Sequence, residues 1–406
     1  MLKKMPADDK SPLYFVHSDG YADYDFGPLH PLKQVRVRLF RELVDNLNLL
    51  NGRTMIHSPP PDILLDKPAF SELNAKIELV HDREYVGFIK RMDDSGGIDS
   101  MNEGRIFGFA PGDNPVFKGM YSSSALHVNG TLHCCDLVMN GYTRRAFSTG
   151  GGFHHALARK ASGFCIFNDV AIAAKYLISH YGLSRVMYID IDAHHSDGVQ
   201  WLLYSEPRVL KVSIHQDPAT LFPWTGYVDE IGEGKGRGYC ANIPVPPGTH
   251  DEAYLYAFRE IIPWLVKAYK PQVILAQMGA DTHFSDPLTQ LRLTTACYKE
   301  ISKEYESILK MNKELKFIGV TGGGYRPTST AKSWLVMLSR IAGYTLPEKL
   351  PDMWLKSCIQ ATGERPDDRV IDSDPEPLEA NTRKTIYDTV RTTVDKLKSN
   401  LADTFP

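Results

Sequence analysis

The stretch Val186–Gly198 reads VMYIDIDAHHSDG. Its first half is an apolar, β-branched run of strand length, and its second half is acids and imidazoles. A run that is continuously apolar rather than alternating belongs to a strand covered on both faces, as in a parallel sheet. Asp190 and Asp192 stand where that strand ends. His194 follows two residues after Asp192, so on extended backbone the two side chains point to the same side. An Asp after a strand also serves as a helix cap, and one such Asp carries little information. Two carboxylates and an imidazole carry more, and VILAQMGAD, ending at Asp281, supplies the second carboxylate. Asp192, His194 and Asp281 would leave an open position on a divalent metal, as a catalytic site needs and a structural site lacks. The element GGGFHH adds His154 and His155 as acid/base groups, so the residues point to metal-assisted hydrolysis.

Outward from this segment, four more runs read as buried strands: Leu13–Val16, Val209–Ile214, Val273–Met278 and Phe317–Val320. Helical patterns separate them. Asn168–Tyr181 ends near Gly182. Glu252–Tyr269 is stopped by Pro271 and carries Pro263 as a candidate kink. Leu293–Met311 is a third. This alternation predicts an α/β fold with a mostly parallel sheet. Ligands in open α/β sheets bind beyond the carboxyl ends of the strands. Asp190 and Asp192, His215, Asp281 and Gly322–Tyr325 follow four successive strand patterns and so converge on one site. The Gly-, Asp- and Ser-rich segment Met92–Ser124 reads as long loops. The charged stretch Leu346–Pro406 reads as a surface extension with one helix, Glu379–Leu401.

The 406 residues suffice for one large domain or two smaller ones, and 43% hydrophobic content supports a substantial core. A formal charge of −3 implies no nucleic-acid patch and no membrane-surface binding. Six scattered cysteines without a CxxC pair read as reduced thiols in a cytoplasmic protein. MLKKMPADDK lacks the apolar stretch of a signal peptide, and no apolar run approaches the roughly 20 residues of a membrane span.

Buried imidazoles need orienting partners, and Asp190 and Asp197 suit His154 and His155, although either can be a turn residue. Tyr325, after Gly322–Gly324, can donate a hydrogen bond to a polarised carbonyl; a packed core tyrosine is the commoner fate.

Taken together, HPLKQVR (30–36), GDNP (112–115), GGGFHH (150–155), GFCIFND (163–169), DIDAHHSDG (190–198), GADTHFSDPL (279–288) and TGGGYRP (321–327) resemble the arginase/deacetylase superfamily, specifically its histone deacetylase-like branch. The resemblance runs from about Tyr14 to Thr345. NIPVPPGTHDEAY (242–254) is similar to the prokaryotic members called acetoin utilisation proteins.

The resemblance implies a three-layer α/β/α fold, one catalytic domain over residues 1–406, and hydrolysis of acetyl-lysine or another short acyl-lysine in proteins or peptides. Asp192, His194 and Asp281 would hold one zinc or ferrous ion. His155 would be general base and then acid, His154 an electrostatic assistant, and Tyr325 the oxyanion donor. Gly163, Phe164, Phe222 and Gly323 would line the acyl-lysine tunnel, with Asp113 gripping substrate at the rim and Arg36 lining an inner acetate channel. Asp190, Asp192, His194, Ser213 and Ile214 would form a potassium site. Polyamine-selective relatives carry a carboxylate where Leu288 stands, so acyl-lysine is favoured over acetylpolyamines. Arg326 and Trp224 depart from many eukaryotic members near the tunnel mouth, which puts rim shape and substrate preference in doubt, and histone is an unfavoured substrate. An arginase-like ureohydrolase would need a second metal and further carboxylates. A silent acyl-lysine binder would not need His154, His155 and Tyr325.

Overall fold

A computed structural model describes residues 13–49, 54–57, 67–95, 101–372, 375 and 377–406. The leading MLKKMPADDK lies outside them. Its centre is an eight-stranded sheet in the order β2-β1-β3-β8-β7-β4-β5-β6. The strands are β1 (Leu13–Val16), β2 (Thr54–His57), β3 (Arg145–Ser148), β4 (Val186–Asp190), β5 (Val209–Gln216), β6 (Cys240–Val245), β7 (Val273–Gln277) and β8 (Lys316–Val320). Every pairing is parallel, beyond the mostly parallel sheet expected. β5 runs two residues past the predicted Ile214, so His215 sits in the strand rather than after it.

The helices are α1 (Val35–Asn46), α2 (Lys67–Ile77), α3 (Arg83–Ser95), α4 (Met101–Ile106), α5 (Met120–Met139), α6 (Asp169–Ser179), α7 (Asp197–Leu202), α8 (Asp251–Tyr269), α9 (Thr295–Met311), α10 (Pro327–Ile341), α11 (Asp352–Thr362) and α12 (Ala380–Leu401). They cover both faces of the sheet. Alternate residues of one strand enter opposite cores: Met187 and Ile189 of β4 pack in one, with α1, α8, α9 and α10, and Val186 and Tyr188 pack in the other, with α3, α5 and α6. Period-two geometry with apolar residues on both faces gives the continuous strand runs of the sequence. α8 continues through Pro263 without a break. Among the described residues no helix is long and apolar enough to cross a membrane. All six cysteines are buried free thiols.

Two expectations need correction. Met92–Ser124 is partly helical rather than loop: α3 runs to Ser95, α4 spans Met101–Ile106 and α5 starts at Met120, with residues 96–100 outside the described part. The Leu346–Pro406 extension holds two helices, not one. Trp354 of α11 is fully buried and donates its indole N–H to the Leu39 carbonyl at 2.8 Å. Val390, Val394, Leu397 and Leu401 of α12 join the core on the α8 side. Leu397→Ala is therefore expected to lower the unfolding free energy by about 2–5 kcal/mol in a urea titration. A loss below about 0.5 kcal/mol is what a helix merely resting on the surface would give.

Candidate active site

The site lies beyond the carboxyl ends of the central strands. β4 leads into Asp192 and His194, β7 into Asp281, β3 into Gly150–His155 and β8 into Gly322–Tyr325. The turn after β3 is tied down by Asp169, the first residue of α6. Its carboxylate accepts the Gly152 N–H at 3.0 Å and the Phe153 N–H at 2.8 Å. Asn168 caps α6 by accepting the Ala171 N–H at 2.9 Å, while its amide donates to the His154 carbonyl at 3.1 Å. One dipeptide thus ends a turn, starts a helix and sets the direction of His154.

Asp192, His194 and Asp281 are all buried, and their ligand atoms lie within 4.8 Å of one another. His194 Nδ1 is 3.2 Å from Asp192 Oδ1 and 2.9 Å from Asp281 Oδ2. Other groups hold the carboxylates in place. Asp192 Oδ2 accepts from Gln277 Nε2 and from the Gly323 N–H, both at 2.7 Å. Asp281 Oδ1 accepts the Ala193 N–H at 2.7 Å. Burial and the neighbouring Asp192 charge push the Asp281 carboxyl up to about 8. Two buried carboxylates facing one imidazole make a donor set that fits a divalent cation, which would offset their repulsion. Among the described residues no other cluster of this kind occurs. A Cβ at Gly323 would collide with both carboxylates, so only glycine fits there.

The two histidines differ in environment. His154 Nδ1 is 2.7 Å from Asp190 Oδ2, and His155 Nδ1 is 2.6 Å from Asp197 Oδ1. Their Nε2 atoms face each other at 3.0 Å, so only one of the two carries a proton in that bond. Burial opposes charge on His154, but Asp190 and Asp192 outweigh it and raise its pKa to about 9. Burial, with the charges of His154 and His194, holds His155 well below the usual histidine value. These surroundings favour the charged form of His154 and the neutral form of His155.

Tyr325 is half-buried, its ring edge-on to Phe164 at 5.7 Å and to His194 at 6.2 Å between centroids. Burial and the Asp281 and Asp192 charges push its phenol well above the usual range, which keeps it a donor. The same cavity wall contains Arg36, His154, His155, Gly163, Phe164, Asp192, Gly323 and Tyr325. A buried Asp–His–Asp cluster that could hold a metal, with Asp192, an imidazole pair held by carboxylates and a phenol on one cavity wall, is an arrangement suited to hydrolysis. The histone deacetylase domain family matches residues 30–341. The chain belongs to that family.

Its relatives include the acetoin utilization protein AcuC of Bacillus subtilis (strain 168), 38% identical over 349 residues, which cover 85% of this chain and 87% of that protein. The AcuC protein of Staphylococcus aureus (strain MSSA476) is 37% identical over 365 residues, 88% of this chain and 90% of that one. A crystal structure of a histone deacetylase homologue from Aquifex aeolicus superposes with a TM-score of 0.78 at 28% identity, covering 96% of this chain and 100% of its own. A histone deacetylase homologue solved in complex with SAHA gives 0.77 at 29%, with the same coverage. As a member of this family the chain is a hydrolase.

Around the family's pocket, the other expected residues fall as follows. Gly163, at φ +52°, leaves no room for a Cβ against the His155 ring, and Phe222 stacks edge-on to His155 at 5.1 Å. Phe164 and Phe222 are both half-buried rather than core residues. Asp113 is exposed; the Gly163 N–H donates to its carboxylate and its carbonyl accepts from His30 Nε2 at 3.1 Å. Arg36 is buried, not a surface helix residue. It donates to the Gly322 and Gly324 carbonyls at 2.8 and 3.0 Å and so holds the turn before Tyr325. Asp190 is the strand neighbour of Ser213, while Ser213 Oγ contacts His215 Nδ1 at 2.8 Å. Leu288 is not part of the cavity wall. It is half-buried, and its N–H donates to Asp286 Oδ1 at 2.9 Å. Trp224 is 60% exposed and Arg326 pairs with Glu364 at 3.0 Å.

Sequence reading missed Gln277 and Asp286. Gln277 was a polar residue ending an apolar strand, which is its only local signal. Asp286 accepts the Tyr325 N–H at 2.7 Å, a bond that no spacing in the sequence announces.

Proposed function

We propose that the chain is a metal-dependent protein-lysine deacylase that hydrolyses the acetyl or short acyl amide of N6-acyl-lysine in proteins or peptides. The observation that carries this reading is the set of ring contacts beside the catalytic groups, which we take as the walls of a throat. Phe222 stands against His155 and Phe164 against Tyr325, with the Asp113 carboxylate beside Gly163. A slim apolar stem suits aromatic walls, and an exposed carboxylate suits backbone N–H groups.

Asp192, His194 and Asp281 would hold a divalent ion, zinc or ferrous iron, which would supply Lewis-acid polarisation of the acyl carbonyl and a lowered pKa for water. His155, neutral and held by Asp197, takes the proton from the attacking water and returns it to the leaving amine as the C–N bond breaks. His154, paired with Asp190, stays cationic and stabilises the charge that develops. Tyr325 donates its phenolic O–H to the carbonyl oxygen as that oxygen becomes anionic. Gly323 keeps the floor of the pocket open, and Arg36 attends the departing acetate. Asp190, Asp192, His194, Ser213 and Ile214 would hold a potassium ion as a structural charge. The enzyme works in the cytoplasm as one catalytic domain over residues 1–406.

The test is an assay of the metal-loaded chain on acyl-lysine peptides and on acetylpolyamines, with zinc and with iron. Acetyl-lysine peptides are expected to have the higher kcat/KM; a preference for acetylpolyamines would reverse the substrate assignment. Leu288→Glu is expected to raise the ratio of kcat/KM for acetylated diamines over acetyl-lysine peptide about tenfold, roughly 1.4 kcal/mol. An unchanged ratio removes Leu288 as a specificity determinant.

A further inference from the structure

The residue Asp372 follows α11, outside the region that the family domain matches. Its side chain is 7% exposed, and it touches three elements. Oδ2 accepts from His283 Nε2 at 2.8 Å, in the loop after β7, and from the Thr295 N–H at 3.0 Å, at the start of α9. Oδ1 accepts from Lys332 Nζ on α10. The Asp372 N–H closes the cluster by donating to Thr295 Oγ1 at 2.8 Å.

We infer that Asp372 is a positioning residue, through which the C-terminal extension holds the loop after β7, and with it the Tyr325 backbone, in register with the pocket. The route is a continuous set of hydrogen bonds. His283 Nδ1 accepts the Ser285 N–H at 3.2 Å, so Nε2 carries the ring proton and donates it to Asp372. Ser285 Oγ reaches Ser329 Oγ of α10 at 3.1 Å. The next residue, Asp286, accepts the Tyr325 N–H at 2.7 Å. Asp281 opens the same loop and Tyr325 lies two residues before α10, so both ends of the arrangement carry site residues.

Charge makes the clamp strong. The Lys332 side chain is 4% exposed, and a buried ammonium without a carboxylate is strongly destabilising. Burial opposes ionisation of Asp372, but His283 and Lys332 outweigh it and hold its carboxyl well below the usual range. Asp372 therefore stays charged at neutral pH, and one carboxylate fixes the loop, α9 and α10 at once.

This inference rests on the deacylase reading for its kinetic test but not for its structural one. The full-length, zinc-loaded chain is compared with Asp372→Asn, which keeps the side-chain size and removes the charge. The kcat on an acetyl-lysine peptide is expected to fall about tenfold or more with KM little changed, the scale of outer partners of a metal site. Amide hydrogen exchange is expected to rise in peptides spanning Asp281–Leu288 and Gly322–Arg326, as well as at the direct contacts of Asp372 on α9 and α10, and not across the rest of the chain. Asp368→Asn, which breaks an exposed pair with Lys349 at 2.8 Å, is expected to change neither reading. Ser285→Ala interrupts the route without stranding a buried charge and is expected to give a smaller fall in kcat at an unchanged Tm. Wild-type kcat and exchange in both Asp372→Asn and Ser285→Ala would overturn the inference, as would exchange that rises uniformly with unchanged kcat per folded molecule. If the wild-type chain hydrolyses no acyl-lysine peptide, the deacylase reading fails, and the exchange pattern alone decides the role of Asp372.

Discussion

Asp192→Asn is expected to yield a folded protein that holds almost no divalent metal and has no measurable acyl-lysine hydrolysis. The wild-type carboxylate accepts from three N–H groups: Gln277 Nε2, the Gly323 N–H and the His194 backbone N–H at 3.0 Å. An asparagine has one acceptor and one donor group, so whichever way it turns its NH₂ faces another donor. The triad also loses one of its two negative charges, which is what favours a divalent ion over water in a site this buried. Elemental analysis of the dialysed wild type should find about one metal ion per chain, and the variant far less. Loss of the Lewis acid costs several kcal/mol of transition-state stabilisation, so activity should fall about a thousandfold or more. Chelation of the wild type should do the same, and readdition of zinc or ferrous iron should restore it. Retained near-ultraviolet circular dichroism separates loss of metal from loss of fold. A variant that keeps both its metal and its rate would remove Asp192 from the site.

How much of this was legible depends on where each interaction resides. The strands β1, β4, β5, β7 and β8 stood out because parallel strands with both faces covered need unbroken apolar runs. β6 did not, because it is an edge strand whose CANIPV sequence includes Asn242 and Pro244, tolerated where one side of the ladder is open. α5 escaped because it is buried almost throughout, down to Ser123, Ser124 and Thr131, and so has no polar face to create a helical period. α11 and α12 were read as surface, although the Val390, Val394, Leu397 and Leu401 stripe has the spacing of a buried helical face. At the site, residues that must carry a charge or a ring in a strand-end motif were visible as types: Asp192, His194, Asp281, His154, His155. Residues whose part is to hold others, such as Gln277, Asp286 and Asp372, act through partners 85, 39 and 89 positions away. Little that is local marks such a residue, since its meaning is set by the fold.

Tyr325→Phe is expected to lower kcat by about 10²–10³-fold, or 2.7–4 kcal/mol, while leaving KM, metal content and Tm close to wild type. The substitution removes one oxygen and keeps the ring that packs against Phe164 at 5.7 Å, so the throat retains its shape. The Tyr325 N–H to Asp286 bond and the Arg36 contacts to Gly322 and Gly324 are made by backbone groups, so the turn that presents the ring survives. What disappears is the only hydrogen-bond donor the side chain brings to the pocket. Ground-state binding of an uncharged amide needs that donor little; an anionic oxygen needs it greatly, which places the loss on kcat rather than KM. The pH dependence sharpens the test. Burial and the Asp281 and Asp192 charges hold the phenol well above its ordinary pKa, so it remains protonated throughout the neutral and mildly alkaline range. The ratio of wild-type to variant kcat should therefore be flat with pH there. A ratio that collapses as pH rises would mean that the phenol ionises in that range, and an unchanged kcat would mean that another group faces the developing charge. Arg36 and His154 are the buried cations on the cavity wall, and Arg36 NH1 is engaged by the two carbonyls of the turn that carries Tyr325, so loss of the phenol leaves the turn's anchor in place.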